Sequence, residues 1–499
     1  MGRSTGALAQ LVVAILTVAE YALATNTSTM AYWLNPRAAI IQNTTVIEGG
    51  TLFTANYSNG GWGTTTSYGS PYGRLFYMSL CSSFNTSTDA VDALLQVKPE
   101  SSSSVPFWTG GALFATDYEW YTYGYVQWMV KSLLFINDAS GLPSPRRKPT
   151  DINVIQGTLF QQSAAQSVWA PTVDSNYSPD KSANVSNYIA LGGWANAPSE
   201  KLGFWFSGLQ AANGGVIDTL AYPNKSDQAN TTARSFIKVD MSSPGEALWQ
   251  NLTWPDWLQP RAEGGLVWLP YGDQGILLAF GGVDLPGDQA SSGLNLNTTA
   301  KVVMNDYMTN IAVYDIARDT WALQLTQETM SPPQMAQFCT VTASAADNSS
   351  YFVYVYGGYD GTWGHNPAAY DSIWVLSVPA FQWTKITDGT PAHRRSRHAC
   401  VLPNPTQMLS IGGGTDRANL VNPDWLDVYD LNAQAWTHFY NSSSTDLYKV
   451  PSAITTQLGQ GSANGGFTIP SGLNGTVTAM LETRYQKQIT GYFPYDYCT

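Results

Sequence analysis

Ile276-Leu277-Leu278-Ala279-Phe280-Gly281-Gly282 is a short apolar run that ends in a glycine pair, and its shape returns along the chain. It recurs as Phe352-Val353-Tyr354-Val355-Tyr356-Gly357-Gly358, as Met408-Leu409-Ser410-Ile411-Gly412-Gly413 and, earlier, as Thr45-Val46-Ile47-Glu48-Gly49-Gly50. Two looser copies lie between, Trp120-Tyr121-Thr122-Tyr123-Gly124-Tyr125 and Phe204-Trp205-Phe206-Ser207-Gly208. The first position of the pair falls at 49, 124, 207, 281, 357 and 412, with serine standing there in the third copy. Successive spacings are 75, 83, 74, 76 and 55 residues, the mark of a repeated supersecondary unit.

A second element follows the later copies. Val313-Tyr314-Asp315 and Val428-Tyr429-Asp430 each lead, six residues after the aspartate, to a tryptophan, Trp321 and Trp436. Val375-Leu376-Ser377 leads likewise to Trp383, and Val239-Asp240 leads to Trp249 with three residues more. Ahead of the glycine pairs stand further β-rich runs, such as Phe338-Cys339-Thr340-Val341 and His398-Ala399-Cys400-Val401-Leu402. Each unit therefore reads as four short antiparallel strands, and radial repetition of such units predicts an all-β propeller. Six blades are expected. Segment 139–186, rich in Ser, Pro and Asn, leaves room for a degenerate seventh. A twisted four-stranded sheet cannot cover its own two faces, so each blade must bury apolar side chains against both neighbours. The glycine pair permits a sharp turn and close backbone approach where a side chain would clash.

These features resemble the kelch family, and more narrowly the galactose-oxidase-like kelch ectodomains of fungal secreted and surface proteins. The resemblance rests on the three Gly-Gly strands with their Tyr-Asp and Trp partners. Arg261-Ala262-Glu263-Gly264-Gly265, Gln337-Phe338-Cys339, Arg397-His398-Ala399-Cys400 and Val450-Pro451-Ser452 add to it. The expected organisation is a signal peptide at 1–24, a kelch propeller at 25–440, and a C-terminal segment at 441–499 that packs on or closes the propeller.

Composition agrees with many strands joined by turns. Only 12 % of the 499 residues are charged, 13 % are aromatic, and 18 are Trp and 28 Tyr. A formal charge of −12 argues against a nucleic-acid partner, which needs a basic face to neutralise phosphates. Arg3, the apolar run from Leu8 to Val18 and Ala22-Leu23-Ala24 fit a secretory leader cleaved after Ala24. The mature chain is expected to carry no membrane span and to be secreted, extracellular or cell-wall associated. Thirteen of the 29 asparagines stand in glycosylation sequons: Asn26, Asn43, Asn56, Asn85, Asn176, Asn184, Asn224, Asn230, Asn251, Asn297, Asn348, Asn441 and Asn474. Four cysteines allow three pairings. Cys339 and Cys400 occupy equivalent strands of consecutive blades, so Cys339–Cys400 and Cys81–Cys498 are expected. The condition is that the Cα atoms approach within about 7 Å.

The resemblance raises one enzymatic alternative, a copper radical carbohydrate oxidase of the galactose-oxidase type. Its site takes two histidines and two tyrosines, one of them linked to a cysteine. This chain has four histidines, His365, His393, His398 and His438. His398 stands where kelch strands carry a packed structural histidine, and little chain follows Trp436 to complete such a site. Nor is an acidic residue found four positions before any of the histidines, as a kelch iron motif requires. No phosphate loop or G-x-S-x-G is present either. No cofactor and no catalytic or metal-binding residue is therefore assigned.

Binding is the better reading. Loops leading into the first strand of a blade and loops leaving the Gly-Gly strand emerge on one face of a propeller. The former carry Arg37, Arg261, Arg394, Arg395 and Arg397, and the latter carry Asp284, Asp360 and Asp416. The leaving loops also carry Tyr57, Trp62, Tyr68 and Tyr72, and Trp363 with His365. Aromatic faces beside fixed charges suit a sugar or peptide ligand. The candidate ligand-binding set is Trp62, Trp363, His365, Asp284, Asp360, Asp416, Arg37, Arg261 and Arg397. For the Arg and Asp members the structural alternative is that they bridge neighbouring blades as ion pairs. The expected partner is an extracellular glycan or protein.

Overall fold

A computed structural model describes residues 28–58, 61–62, 66–68, 74–87, 91–99, 110–117, 119–124, 155–159, 171–174, 185, 188–212, 214, 229–244, 246–284, 306–327, 330–361, 369–414, 425–487 and 489. The proposed leader and its cleavage point lie outside them, as do Asn26, Asn176, Asn184, Asn224, Asn297 and Cys498.

Every copy of the repeat forms the second strand of a four-stranded antiparallel unit. In the unit that holds the opening stretch, Gly265–Leu269, Ile276–Phe280, Asn310–Asp315 and Thr320–Leu325 pair in chain order. Val313-Tyr314-Asp315 is thus the third strand and Trp321 lies on the fourth. Blades of the same order begin at Arg37–Ile41, Ala112–Ala115, Gly193–Ala197 and Cys339–Ser344, so among the described residues five blades are separate four-stranded sheets. Ser396–Asn404, Gln407–Gly414, Leu426–Asp430 and Ala435–Trp436 pair in the same way but are not separate. Trp33 of Ser28–Leu34 pairs with Gly413, which fuses the last repeat with N-terminal strands into one eight-stranded sheet.

Six like blades were expected, and here the structure differs: five stand apart and the last repeat is merged across the join. Of segment 139–186, only residues 155–159, 171–174 and 185 are among those described. Its strands Ile155–Leu159 and Pro171–Asp174 complete the blade begun by Ala112–Ala115.

Burial explains why second strands such as Ile276–Phe280 and Tyr351–Tyr356 are apolar at successive positions rather than at alternate ones. Tyr351–Tyr356 is buried throughout because blades pack on both of its faces. Each large hydrophobic cluster is shared by two neighbouring blades. One joins Leu278 and Val313 to Val353, Leu376 and Trp383, and another joins Trp33, Ile47 and Phe76 to Leu409 and Val428. The glycine pairs carry positive φ, 86° at Gly282 and 89° at Gly358. A Cβ at Gly282 would stand 2.5 Å from the Ala262 carbonyl oxygen, so only glycine fits there.

After the last blade the chain runs back along the ring. Tyr448 Oη meets Tyr354 Oη at 2.8 Å, and the Gly466 amide donates to Asp347 Oδ2 at 2.7 Å. Helix Gly475–Glu482, capped by Asn474, packs on Thr320–Leu325. Beyond it the Gly272 amide donates to Thr483 O at 2.7 Å, and Lys487 Nζ reaches Glu200 Oε2 at 2.6 Å. Asp347, Gly272 and Glu200 all lie at hairpins between first and second strands. The segment therefore covers the hairpin ends of three blades, on the face opposite the loops that lead into each first strand. No helix among the described residues is long and apolar enough to cross a membrane.

Candidate functional site

The innermost strands surround a central cavity of about 350 Å³. Two residues ahead of most of these strands, and within the start of the last, the backbone turns left-handed. Its φ is 53° at Asn35, 71° at Gly110, 58° at Leu191, 61° at Glu263, 51° at Gln337 and 62° at Arg397. That conformation costs a non-glycine residue about 1–2 kcal/mol, and a ring of hydrogen bonds holds it in place. The amides of Leu191, Glu263, Gln337, Arg397 and Asn35 donate in turn to the carbonyls of Gly110, Leu191, Glu263, Gln337 and Arg397, at 2.6, 2.6, 2.9, 3.0 and 2.8 Å. All six residues line the cavity.

Side chains make the mouth one-sided. Arg397 Nε donates to Gln337 Oε1 at 2.7 Å, and Gln337 Nε2 donates to Glu263 Oε1. Tyr359 Oη donates to the other Glu263 oxygen at 2.6 Å. A guanidinium, an amide, a carboxylate and a phenol thus form one fixed polar row, while Gly110 and Leu191 face the other half of the rim. Sequence reasoning singled out Arg397 and missed Asn35, Leu191, Glu263, Gln337 and Tyr359. Glu263, Gln337 and Arg397 all stand in the quoted motifs, but third in one and first in the other two, so no common position marked them.

Two of the expected binding arginines are buried among partners from other strands. Arg37 is 2 % exposed and pairs with Glu48, directly opposite it on the adjoining strand, while its Nη1 reaches Ala112 O of the next blade at 3.4 Å. Arg261 is 3 % exposed. Its guanidinium lies between the rings of Phe206 and Tyr307, 5.4 and 4.5 Å from their centroids, and donates to Ala279 O at 2.9 Å. Burial lowers its pKa to about 10, against the opposing charges of Tyr307 and Asp284. Arg37 nonetheless lines the central cavity.

Asp284 is half-buried and accepts a hydrogen bond from Tyr307 Oη, so it reaches Arg261 through a phenol and not as a direct ion pair. Asp360 is also half-buried; burial, with its charge added, raises the Tyr370 phenol to about 12. Trp62 stands opposite Tyr57 on the two-residue strand Gly61–Trp62, in a hairpin rather than an open loop. Trp363, His365 and Asp416 lie outside the described residues.

Loops that lead in and loops that leave do meet on one face. Ala262 pairs with Val283 and Ala336 with Tyr359, each just before the aspartates 284 and 360. A second polar centre lies off the axis in the last repeat. The fully buried Asp427 accepts from His438 Nδ1 at 2.7 Å and from the Val428 amide at 2.8 Å, and it faces His393 Nδ1 at 3.2 Å. Burial alone raises its carboxyl, but His393, Arg395 and His438 together hold it below the usual carboxylate range. Buried at the channel wall, His398 is kept neutral by desolvation and by the charge of Arg395.

Cys339 and Cys400 are joined by a disulfide with Cα atoms 5.5 Å apart, because innermost strands converge toward the axis. Cys81 is also disulfide-bonded. Of the sequon asparagines, Asn251, Asn348 and Asn474 are exposed. Asn43 is only 7 % exposed in a tight turn, so this sequon is not presented to solvent.

No family model matches the chain. A kelch repeat-containing protein of Arthroderma benhamiae is 27 % identical over 378 residues, which is 68 % of this chain and 51 % of the relative. The chain therefore spans about half the length of the curated relative it matches.

Proposed function

Starting from the fact that this chain is a kelch-repeat β-propeller, we propose that it is a secreted, non-catalytic binding protein for an extracellular partner, a protein or a glycan. One observation carries the reading. Arg397, Gln337 and Glu263 line the central cavity as a hydrogen-bonded row that the buried Tyr359 anchors, on the face opposite the hairpin ends that the described C-terminal residues cover. Groups already locked in place lose little freedom when a ligand arrives, which favours recognition over plain packing. The leader and the sequons support a secreted chain.

The oxidase alternative is weaker. Cys339, Cys400 and Cys81 are each held in a disulfide, so none of the described cysteines is at hand for a tyrosyl thioether. His393 and His438 both direct Nδ1 to Asp427 instead of converging with tyrosines on one point.

Screening the secreted protein on a glycan array and on an array of extracellular proteins tests the proposal. The expected result is a ligand whose binding weakens in Arg397→Asn, a substitution that tolerates the left-handed backbone. Binding that ignores this change moves the site elsewhere, and turnover of a carbohydrate with release of peroxide overturns the reading.

A further inference from the structure

Cys339, Cys400 and His398 all line the central cavity. The two sulfur atoms and a nitrogen of the imidazole lie within 4.8 Å of one another. His398 is 7 % exposed, and neither of its ring nitrogens makes a hydrogen bond of normal geometry. Tyr356 meets the ring edge-on at 4.9 Å, and a Cβ at Gly357 would stand 2.7 Å from its Cε1. Packing thus fixes an imidazole whose one polar neighbour, the Tyr356 backbone, is not met in normal hydrogen-bond geometry. A buried polar group left in this way needs a reason, and a redox role or an absent ion is among the recognised ones.

We propose that the Cys339–Cys400 disulfide closes a latent cation site. Once the bond is reduced, the two thiolates and His398 form a Cys2His set for a borderline or soft divalent cation such as Zn2+, reached through the central cavity. Opening the site requires a dithiol reductant. Its thiolate attacks one sulfur, the S–S bond breaks, and the other sulfur leaves as a thiolate. The second thiol of the reductant then resolves the mixed disulfide. Two electrons pass to the protein, and the reductant ends as its own disulfide. Cation binding then releases the two thiol protons, and three protein ligands leave a fourth tetrahedral position for water. In the oxidised chain both sulfurs are spent on each other, so the set does not exist. The inference is independent of the partner-binding reading, since it concerns the channel wall and not the rim.

The test uses the whole protein, reduced with dithiothreitol, passed through an oxygen-free desalting column and titrated with Co2+ and then with Zn2+. The expected result is one Co2+ per chain with a sulfur-to-cobalt absorption band that Zn2+ displaces, and no such band before reduction. Cys81→Ser should keep the band and Cys339→Ser/Cys400→Ser should lose it. His398→Gln should weaken binding by about tenfold or more, at least what removal of an outer-sphere partner costs. A band of equal strength in the oxidised protein or in the double serine variant overturns the proposal. So does an absence of binding after reduction. Near-ultraviolet circular dichroism is recorded alongside, and cation uptake that comes only with loss of that signal also overturns it, because the site requires the folded channel.

Discussion

Asn35 donates its backbone N–H to the carbonyl of Arg397 at 2.8 Å, joining the lead-in to the first blade with the lead-in to the last. The contact belongs to the ring that also links Gln337, Glu263, Leu191 and Gly110. Closure of the propeller and construction of the cavity mouth are therefore one event. A few residues away Trp33, fully buried, pairs with Gly413, donates Nε1–H to Gly49 O at 2.8 Å and packs edge-on to Phe76 at 4.9 Å.

Tryptophans should differ in weight according to where they sit between blades. Trp383 is fully buried and donates to Met308 O of the preceding blade at 2.7 Å, whereas Trp321 keeps part of its surface in solvent. Trp383→Ala and Trp33→Ala should each cost about 3–5 kcal/mol, and Trp321→Ala should cost less. Urea unfolding of the three variants checks the order, and equal losses would contradict it.

Two glycines with positive φ should answer differently to alanine. At Gly282 a Cβ collides with backbone, so Gly282→Ala should add steric cost to a backbone strain of about 1–3 kcal/mol. Gly459, at the C-cap of helix Ser452–Leu458, has nothing within 4 Å of that position. Gly459→Ala should therefore show only the left-handed penalty, about 1–2 kcal/mol. Denaturation midpoints measured side by side make the comparison.

Acid should release the Asp427 centre. Its folded pKa lies below the ordinary aspartate value of 3.8, so the carboxylate adds stability above that value and loses it as pH falls through the lower, folded pKa. Asp427→Asn should be less stable than the parent at pH 7, and the gap should narrow below about pH 4. Unfolding free energies between pH 7 and pH 2 measure it, and a gap that stays constant would show that charge is not the cause.

The Cys339–Cys400 bond closes a loop across a sequence separation of 61 residues. Chain-entropy arguments assign such a loop about 4 kcal/mol, so Cys339→Ser/Cys400→Ser should lower stability by about 2–4 kcal/mol. Thermal melts under oxidising conditions test this. A variant as stable as the parent would mean that innermost-strand packing alone holds these blades together.

What the sequence alone determined is whatever depends on short-range pattern. Gly281-Gly282 closes the second strand of one blade and Tyr314-Asp315 and Trp321 fall on its third and fourth, so their spacing is enough to assign strand order within a blade, though not the number of separate blades. The burial of second strands such as Tyr351–Tyr356 followed from the same pattern, since a run apolar at every position must be covered on both faces. Tertiary structure decided the rest. Arg37, Arg261 and Arg397 look alike as arginines in lead-in loops. Two are buried and the third is on the rim, because the partners that claim them, Glu48, Phe206, Tyr307 and Gln337, arrive from other strands and other blades. Leu191 and Glu263 gave no hint of left-handed backbone, because a non-glycine residue adopts it only when a ring of neighbouring amides and carbonyls holds it there. The merging of the last repeat with Ser28–Leu34, and the path of the C-terminal segment back over three blades, likewise rest on contacts between residues hundreds of positions apart. Only closure of the chain brings them within reach.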